Sequence, residues 1–220
     1  MNPFGPLAGL KVLELGQLIA GPFCARIMAE FGAEVIKVEP PLTGDALRKW
    51  RILHEGNSLW WYAQARNKKS VAIDMRKTEG QALVRKLAST ADIVVENFRP
   101  GTLEKWGLAH AQLAKDNPRL IMVRISGFGQ TGPYRDRVGF GAIGESMGGM
   151  RYTSGYPDRA PCRVGISIGD SLAALYGVIG ALMAVVHRGK TGVGQEVDVA
   201  LYEAKAAGRE RLIVRSAMAA

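Results

Sequence analysis

The 220-residue chain is poor in the residues that build disulfide and metal sites. It holds two cysteines, Cys24 and Cys162, and three histidines, His54, His110 and His187. Two cysteines are too few for a disulfide framework and lack metal-type spacing, and the histidines lie far apart in sequence, so no metal is expected. The N-terminus, MNPFGPLAGLKVLEL, has no basic start followed by an apolar run, so no secretory signal is expected and a reducing cytoplasm is the default. Ser171 to Val186 is uncharged and mostly apolar, but at sixteen residues it falls short of the roughly 20 that a spanning helix needs. It reads instead as a buried core helix, with no membrane span. Acids are in deficit, 20 against 29 Lys and Arg, for a net charge of +9. That balance suits an anionic ligand, or is simply a solvated basic surface. Basic residues do not interleave with aromatics, so no nucleic-acid partner is expected.

What is present is an alternation. LKVLEL (Leu10–Leu15), EVIKVE ended by Pro40, SVAIDM (Ser70–Met75), DIVVENF and LIMVRIS (Leu120–Ser126) read as strands, and VDVAL (Val197–Leu201) as a last one. Helical spacing separates them. Gly21–Gly32 has Pro22 near its start, Thr78–Ala91 places Leu83 and Leu87 four apart on one apolar face, and TLEKWGL opens a short helix behind Gly101. Continuous apolar strands separated by helices predict an α/β fold, a parallel sheet with helices on both faces. In Ser171–Val186 the stripe Leu172, Leu175, Ile179, Leu182, Met183, Val186 is large and apolar, and Ala173, Ala174, Gly177, Gly180, Ala181 and Ala184 fill much of the rest. A helix apolar or small all round is expected to pack on every side.

Two motifs are decoys. GFGQTG (Gly127–Gly132) matches the dinucleotide fingerprint and follows a strand, but Pro133 and YRDRVGFG continue without the helix that a pyrophosphate requires. GKT (Gly189–Thr191) lacks the glycine of a phosphate loop and follows a helix instead of preceding one. Asp170, at the mouth of the apolar run, has two compatible readings. It is a helix N-cap, or a fixed, ionised carboxylate at a helix N-terminus that can act as a nucleophile. Gly165 and Gly169 before it allow a ligand close approach.

The ordered blocks LAGLKVLELGQLIAGP, FGAEVIKVEPP with GDALR, NKKSVAIDM, DIVVENFRPGTLEKWGL, RISGFGQTGP, and VGISIGDSLAAL with TGVGQEVDVALYEA resemble the class III CoA-transferase family, the CaiB/BaiF type. The resemblance implies a Rossmann-like large domain over residues 1–204. It implies that Asp170 is the nucleophile, attacking the carbonyl of an acyl-CoA so that CoA leaves as thiolate and a mixed anhydride remains. The thiolate then takes the aspartyl carbonyl to give an enzyme thioester, and an acceptor carboxylate reverses the sequence. CoA is a substrate, and neither cofactor nor metal is required. The resemblance places Ile19 and Ala20 along the ligand's path, Ile73 and Arg76 beside the nucleotide, Asn97 and Phe98 at the CoA chain, and Lys105 near the phosphates. Pro40 stands where some members carry a nucleotide-binding arginine, with Arg66, Lys68 and Lys69 as candidate substitutes.

The same family holds α-methylacyl-CoA racemases, which need a second acid/base group. Phe140 occupies the place of their histidine, so transfer of CoA is the leading reading and racemisation the alternative. The block from Gly139 to Leu175 is most similar to the branch using succinyl-CoA and small dicarboxylic acids. Family members are roughly twice this length and homodimeric. The quoted blocks end at Ala204, and 205–220, KAAGRERLIVRSAMAA, reads as an atypical tail. An inactive fragment that at most binds CoA is therefore a third reading of this chain.

Overall fold

The computed structural model describes residues 5–206 and 213–215. Its frame is one sheet. Strands β1 (Lys11–Glu14) and β2 (Glu34–Glu39) flank helix α1 (Ala20–Glu30) in sequence. A 3-10 turn (Ala46–Lys49), a small hairpin of β3 (Leu53–His54) and β4 (Asn57–Ser58), and α2 (Leu59–Gln64) lead to β5 (Lys68–Ala72). Then follow α3 (Thr78–Ala88), β6 (Ile93–Glu96), α4 (Thr102–Lys105), α5 (His110–Leu113) and β7 (Ile121–Ser126). The chain continues through α6 (Gly141–Met147), α7 (Ile168–Thr191), β8 (Glu196–Ala200), α8 (Leu201–Ala206) and β9 (Ile213–Arg215).

The sheet order is β5-β2-β1-β6-β7-β8-β9. The six strands from β5 to β8 pair in parallel, and β9 adds an antiparallel edge that the sequence did not lead us to expect. The parallel order is the doubly wound one, reversing between β1 and β6, which is where such sheets open a crevice at their carboxyl ends. Of the atypical tail, residues 207–212 and 216–220 lie outside the described residues.

Alternate strand residues feed opposite faces. Val12, Ile93, Val95, Val123 and Ile125 pack with Cys24, Met28, Ala173 and Ala181 of α1 and α7. Leu13, Val94 and Met122 pack with Val84 and Ala88 of α3 and with Leu103 and Leu113. Both faces are therefore covered, as the apolar strand runs predict.

Several helical details differ from the sequence-based expectation. The strand at β5 begins at Lys68, not Ser70, because the parallel pairing runs Val35 to Lys68 and Glu39 to Ala72. Helix α3 stops at Ala88, and the Asn117 amide donates to the Ala88 and Ala91 carbonyls at 3.1 and 2.8 Å, holding its end. Its buried line is Gly80, Val84, Ala88, while Leu83 stays exposed. A Cβ at Gly80 would lie 2.0 Å from the Asp74 carbonyl oxygen, so only a glycine lets this helix approach so closely. Helix α7 behaves likewise. Ala173, Ala174, Gly177, Ala181 and Ala184 are buried, but Leu175, Ile179, Met183 and Val186 are exposed among the described residues. The expectation of packing on every side is thus corrected: the small face meets α1 and the sheet, Leu172 and Leu182 rest partly buried against that core, and Leu175, Ile179, Met183 and Val186 face outward. A Cβ at Gly177 would meet Val123, Cys24 and Ile125 at 3.1–3.4 Å, which shows how close the small face comes. The helix runs for 24 residues, long and apolar enough by composition to cross a membrane, yet its small face is sunk in the core against β7.

The decoys resolve as expected. No helix follows GFGQTG until Gly141, and GKT closes α7, where Gly192 takes the left-handed cap (φ 77°).

Candidate active site

The carboxyl ends of the strands are charged, and the charges meet across the ladder. Register sets Glu14 of β1 beside Lys37 of β2, and Glu96 of β6 beside Arg124 of β7. Lys37 Nζ reaches Glu14 Oε1 at 2.6 Å, Asp45 Oδ2 at 2.7 Å and the Gly16 carbonyl at 2.9 Å. Lys68 Nζ meets Glu14 Oε2 at 2.6 Å and the Pro22 carbonyl at 2.7 Å. All four side chains are buried. Burial opposes the charge on Glu14, but Lys37 and Lys68 together hold its carboxyl below the usual range. Burial likewise acts against the ammonium of Lys37, and Glu14 and Asp45 more than offset it.

This cluster shapes the loop after β1. Leu18 is left-handed (φ 63°), a conformation costing a residue with a Cβ about 1–2 kcal/mol. Its N–H donates to Asp45 Oδ1 at 3.0 Å, and Leu47 N–H donates to the same oxygen at 2.9 Å. On the other side, Gln17 N–H donates to Asn97 Oδ1 at 2.8 Å, and Asn97 Nδ2 donates to the Gln17 carbonyl at 2.9 Å. A Cβ at Gly16 would lie 2.7 Å from Asn97 Oδ1, so the amide fits only against glycine. Asn97 therefore secures the loop as well as lining the crevice. Beyond it, Phe98 N–H donates to Glu96 Oε2 at 2.7 Å, and Arg124 binds Glu96 at 2.7 Å and Glu104 of α4 at 2.7 Å. Burial pushes the Glu96 carboxyl up to about 7 against the pull of Arg124.

Two adjoining cavities result. One, of about 480 Å³, includes Ile19, Ala20, Asn97, Phe98, Phe140 and Asp170 in its wall. The other, of about 460 Å³, includes Ile73, Arg76, Pro40 and Trp106. Gln17 and Phe98 belong to both. Each is of ligand size, and together they suit an elongated molecule with one end at Asp170 and the other at Arg76.

Asp170 is not the N-cap. That position is Ser167, with no side-chain cap bond, and Asp170 lies in the first turn of α7. It still faces the positive end of the helix, which favours its ionised form. A Cβ at Gly141, the first residue of α6, would lie 2.6 Å from Asp170 Oδ2. The carboxylate is thus packed against backbone that only glycine can present. Phe140 lines the same cavity and offers no acid/base group beside Asp170.

Six of the expected binding residues line the two cavities: Ile19, Ala20, Ile73, Arg76, Asn97 and Phe98. Lys105 does not; it is exposed on α4 and lines neither. Arg76 is exposed and paired with Asp74 through its Nε and Nη2 at 2.8 and 3.0 Å. The proposed substitutes for Pro40 are engaged elsewhere. Lys68 is buried on Glu14, Lys69 pairs with Glu34 at 2.6 Å, and Arg66 pairs with Glu30. Sequence reasoning passed over Gln17, Gly141, Arg137 and Arg163. Gln17 was within reach, as the neighbour of Ile19 in a quoted block; the others become visible only where the loops converge. Among the described residues, no three His, Cys, Asp or Glu side chains gather to hold a metal. Cys24 and Cys162 are both free thiols, and burial, with Glu14, pushes Cys24 up to about 12.

A family model described as CoA-transferase family III matches residues 7–219. The chain belongs to the family III CoA-transferases. The match continues past Ala204, where the quoted motif blocks end. The family member succinyl-CoA–D-citramalate CoA-transferase of Chloroflexus aurantiacus is 58% identical over 213 residues, 96% of this chain and 53% of that protein. Human succinyl-CoA:glutarate CoA-transferase is 36% identical over 209 residues, 94% of this chain and 48% of that one. The crystal structure of a CaiB/BaiF family protein from Brucella suis superimposes with a TM-score of 0.88 at 42% identity, covering 92% of this chain and 55% of that chain. The chain spans about half the length of the curated relatives it matches.

Proposed function

We propose that this chain carries the nucleophile and the CoA crevice of an enzyme that moves CoA from succinyl-CoA to a small dicarboxylic acid. The observation that carries the reading is the placement of Asp170. A carboxylate fixed in the first turn of α7 shares one cavity with Asn97, Phe98 and Ile19 at the switch point of the sheet. Asp170 attacks the donor carbonyl, CoA leaves as thiolate, and the mixed anhydride stores the bond energy. The thiolate then attacks the aspartyl carbonyl, releasing the donor acid. The acceptor carboxylate attacks the aspartyl thioester and recovers CoA through a second anhydride. Each step is nucleophilic catalysis at one carboxylate. The second cavity receives the nucleotide end, with Ile73 and Arg76 beside it, and Lys105 acts at longer range through its charge.

The relatives named above use succinyl-CoA and dicarboxylic acids, which supports that substrate class. Racemisation is disfavoured by Phe140, which stands in the cavity wall where a racemase needs a second proton carrier. We further read the enzyme as cytoplasmic and, in its full-length form, homodimeric. The exposed stripe of Leu175, Ile179, Met183 and Val186 is the surface available to a second copy. The test is transfer of CoA from succinyl-CoA to a panel of dicarboxylic acids, with Asp170→Asn alongside. Transfer that survives Asp170→Asn would overturn the mechanism. Protein-dependent uptake of deuterium at the α-carbon of a 2-methylacyl-CoA would restore the racemase.

A further inference from the structure

Glu145 is fully buried on α6, and neither of its carboxylate oxygens has a hydrogen-bond partner among the described residues. Two guanidinium groups approach it without closing, Arg151 Nε at 3.7 Å and Arg163 Nε at 4.0 Å. A buried carboxylate left this loosely paired is expensive, so something other than stability accounts for its placement. Arg163 supplies the reason. Its side chain is half exposed, and it lines the same cavity as Asp170. Glu145 attracts the Nε edge of Arg163 from inside the protein, while the half-exposed side chain lines the cavity.

A dicarboxylic acid brings a second negative charge into a site that already holds the Asp170 carboxylate. Two unit charges 4 Å apart repel by roughly 1 kcal/mol in water and about 4 kcal/mol near a protein surface. A guanidinium offset from the nucleophile removes that penalty and reads a carboxylate through two parallel hydrogen bonds. Arg99 and Arg137 line the cavity too. Arg137 is stacked on the Tyr134 ring at 4.1 Å, and neither forms an ion pair among the described residues. We propose that Arg163, anchored by Glu145, receives the far carboxylate of the acyl group and so selects dicarboxylic substrates. Asp170 is the catalytic residue, Arg163 the specificity residue and Glu145 its positioning residue. The proposal rests on Asp170 being the nucleophile.

The experiment compares two thioesters on this chain. Succinyl-CoA carries the far carboxylate, and butyryl-CoA has the same carbon count without it. Each is incubated with the protein, hydroxylamine is added, and the rate of aspartyl hydroxamate formation at Asp170 is followed by mass spectrometry. The unsubstituted protein should label about 10- to 100-fold faster with succinyl-CoA, the size of one charge-assisted hydrogen bond. Arg163→Met should bring the two rates together by slowing succinyl-CoA alone, and Arg163→Lys should recover part of the preference. Glu145→Gln should narrow the preference by slowing succinyl-CoA more than butyryl-CoA, a change in the ratio of the two rates that loss of folded protein, which lowers both alike, would not give. Equal labelling by both thioesters in the unsubstituted protein would remove Arg163 and leave the nucleophile standing. So would a preference that survives Arg163→Met, or that collapses in Arg137→Met instead. No label from either thioester would remove Asp170 as the nucleophile, and this proposal with it.

Discussion

Lys37 touches Glu14 at 2.6 Å and Asp45 at 2.7 Å, whereas Glu145, equally buried, finds its nearest guanidinium nitrogens at 3.7 and 4.0 Å. Both lie at the carboxyl edge of the same sheet. At the β1–β2 end every buried charge has a close counter-charge, and a network built this way rigidifies the loop it holds, here Gly16 to Leu18. At the α6–α7 end Glu145, Arg151 and Arg163 stand apart, and the Gly141 backbone packs on the Asp170 carboxylate. The difference separates support from chemistry. A loop left to unpaired charges would not hold the crevice open.

The strongest way to break that comparison is at Asp170. Asp170→Asn keeps the shape and removes the anionic nucleophile, so covalent labelling by succinyl-CoA should fall by about 10³-fold or more, as for other enzymes stripped of a covalent nucleophile. The urea midpoint should stay close to that of the unsubstituted protein. At the supporting end the reverse is expected. Lys37→Met leaves Glu14 and Asp45 buried beside one remaining cation, and removing one partner of a buried pair costs about 3–5 kcal/mol; urea unfolding followed by circular dichroism would show it. A smaller effect is expected from Gly141→Ala. Its methyl group would have to displace the Asp170 carboxylate, and misplacement of a reacting group by about 1 Å costs up to about 10²-fold. Labelling rate should therefore drop in that variant with little change in stability.

Acid sharpens the comparison further. Glu39 is buried, which opposes its charge, yet Arg48, the Ser70 hydroxyl and the Asp45 N–H hold its carboxyl down at about 2, against an ordinary 4.5. Between those values the unfolded chain takes up the proton first. The contribution of Glu39 is thus fully present above pH 4.5 and is lost as pH falls toward 2. Urea midpoints measured through that window should decline, and Glu39→Gln should flatten the decline. The smallest effect belongs to Arg66, which pairs with Glu30 on the surface; Arg66→Ala should move stability by no more than about 0.5 kcal/mol. A large loss there would mean that pairing tightness does not separate the two ends.

Much of the frame was legible. The apolar strand runs appear as β1, β2, β6, β7 and β8, because a strand buried on both faces is mostly apolar, with Lys37 and Arg124 as ion-paired exceptions. The two helices α3 and α7 were found, but which of their residues meet the core was read only in part. In α3 the expected apolar face was Leu83 and Leu87, of which Leu87 packs on the core and Leu83 stays exposed; in α7 all sides were expected to pack, and the structure buries the small side while Leu175, Ile179 and Met183 are exposed. Hydrophobicity ranks leucine above glycine, but a helix lying close on a sheet is limited by distance, and at Gly80 and Gly177 there is no room for a larger side chain. The short elements α2, α5, α6 and the β3–β4 hairpin carry no period long enough to read.

The site was legible in part for a similar reason. Residues within quoted motif blocks (Ile19, Ala20, Ile73, Asn97, Phe98) and Arg76, just after one, do line the cavities, and Asp170 stands where a helix begins. Lys105 sits in such a block too, yet its side chain leaves α4 away from both cavities.

The order of strands and helices along the chain and the lone acid at the mouth of a long apolar helix were determined by the sequence itself, because period, composition and helix-terminal chemistry are local. The pairing of Glu14 with Lys37, the packing of Gly141 on Asp170 and the meeting of Glu145 with Arg163 were decided only by tertiary structure. Sheet register and loop convergence bring those residues together across distances in the chain over which no local pattern carries information.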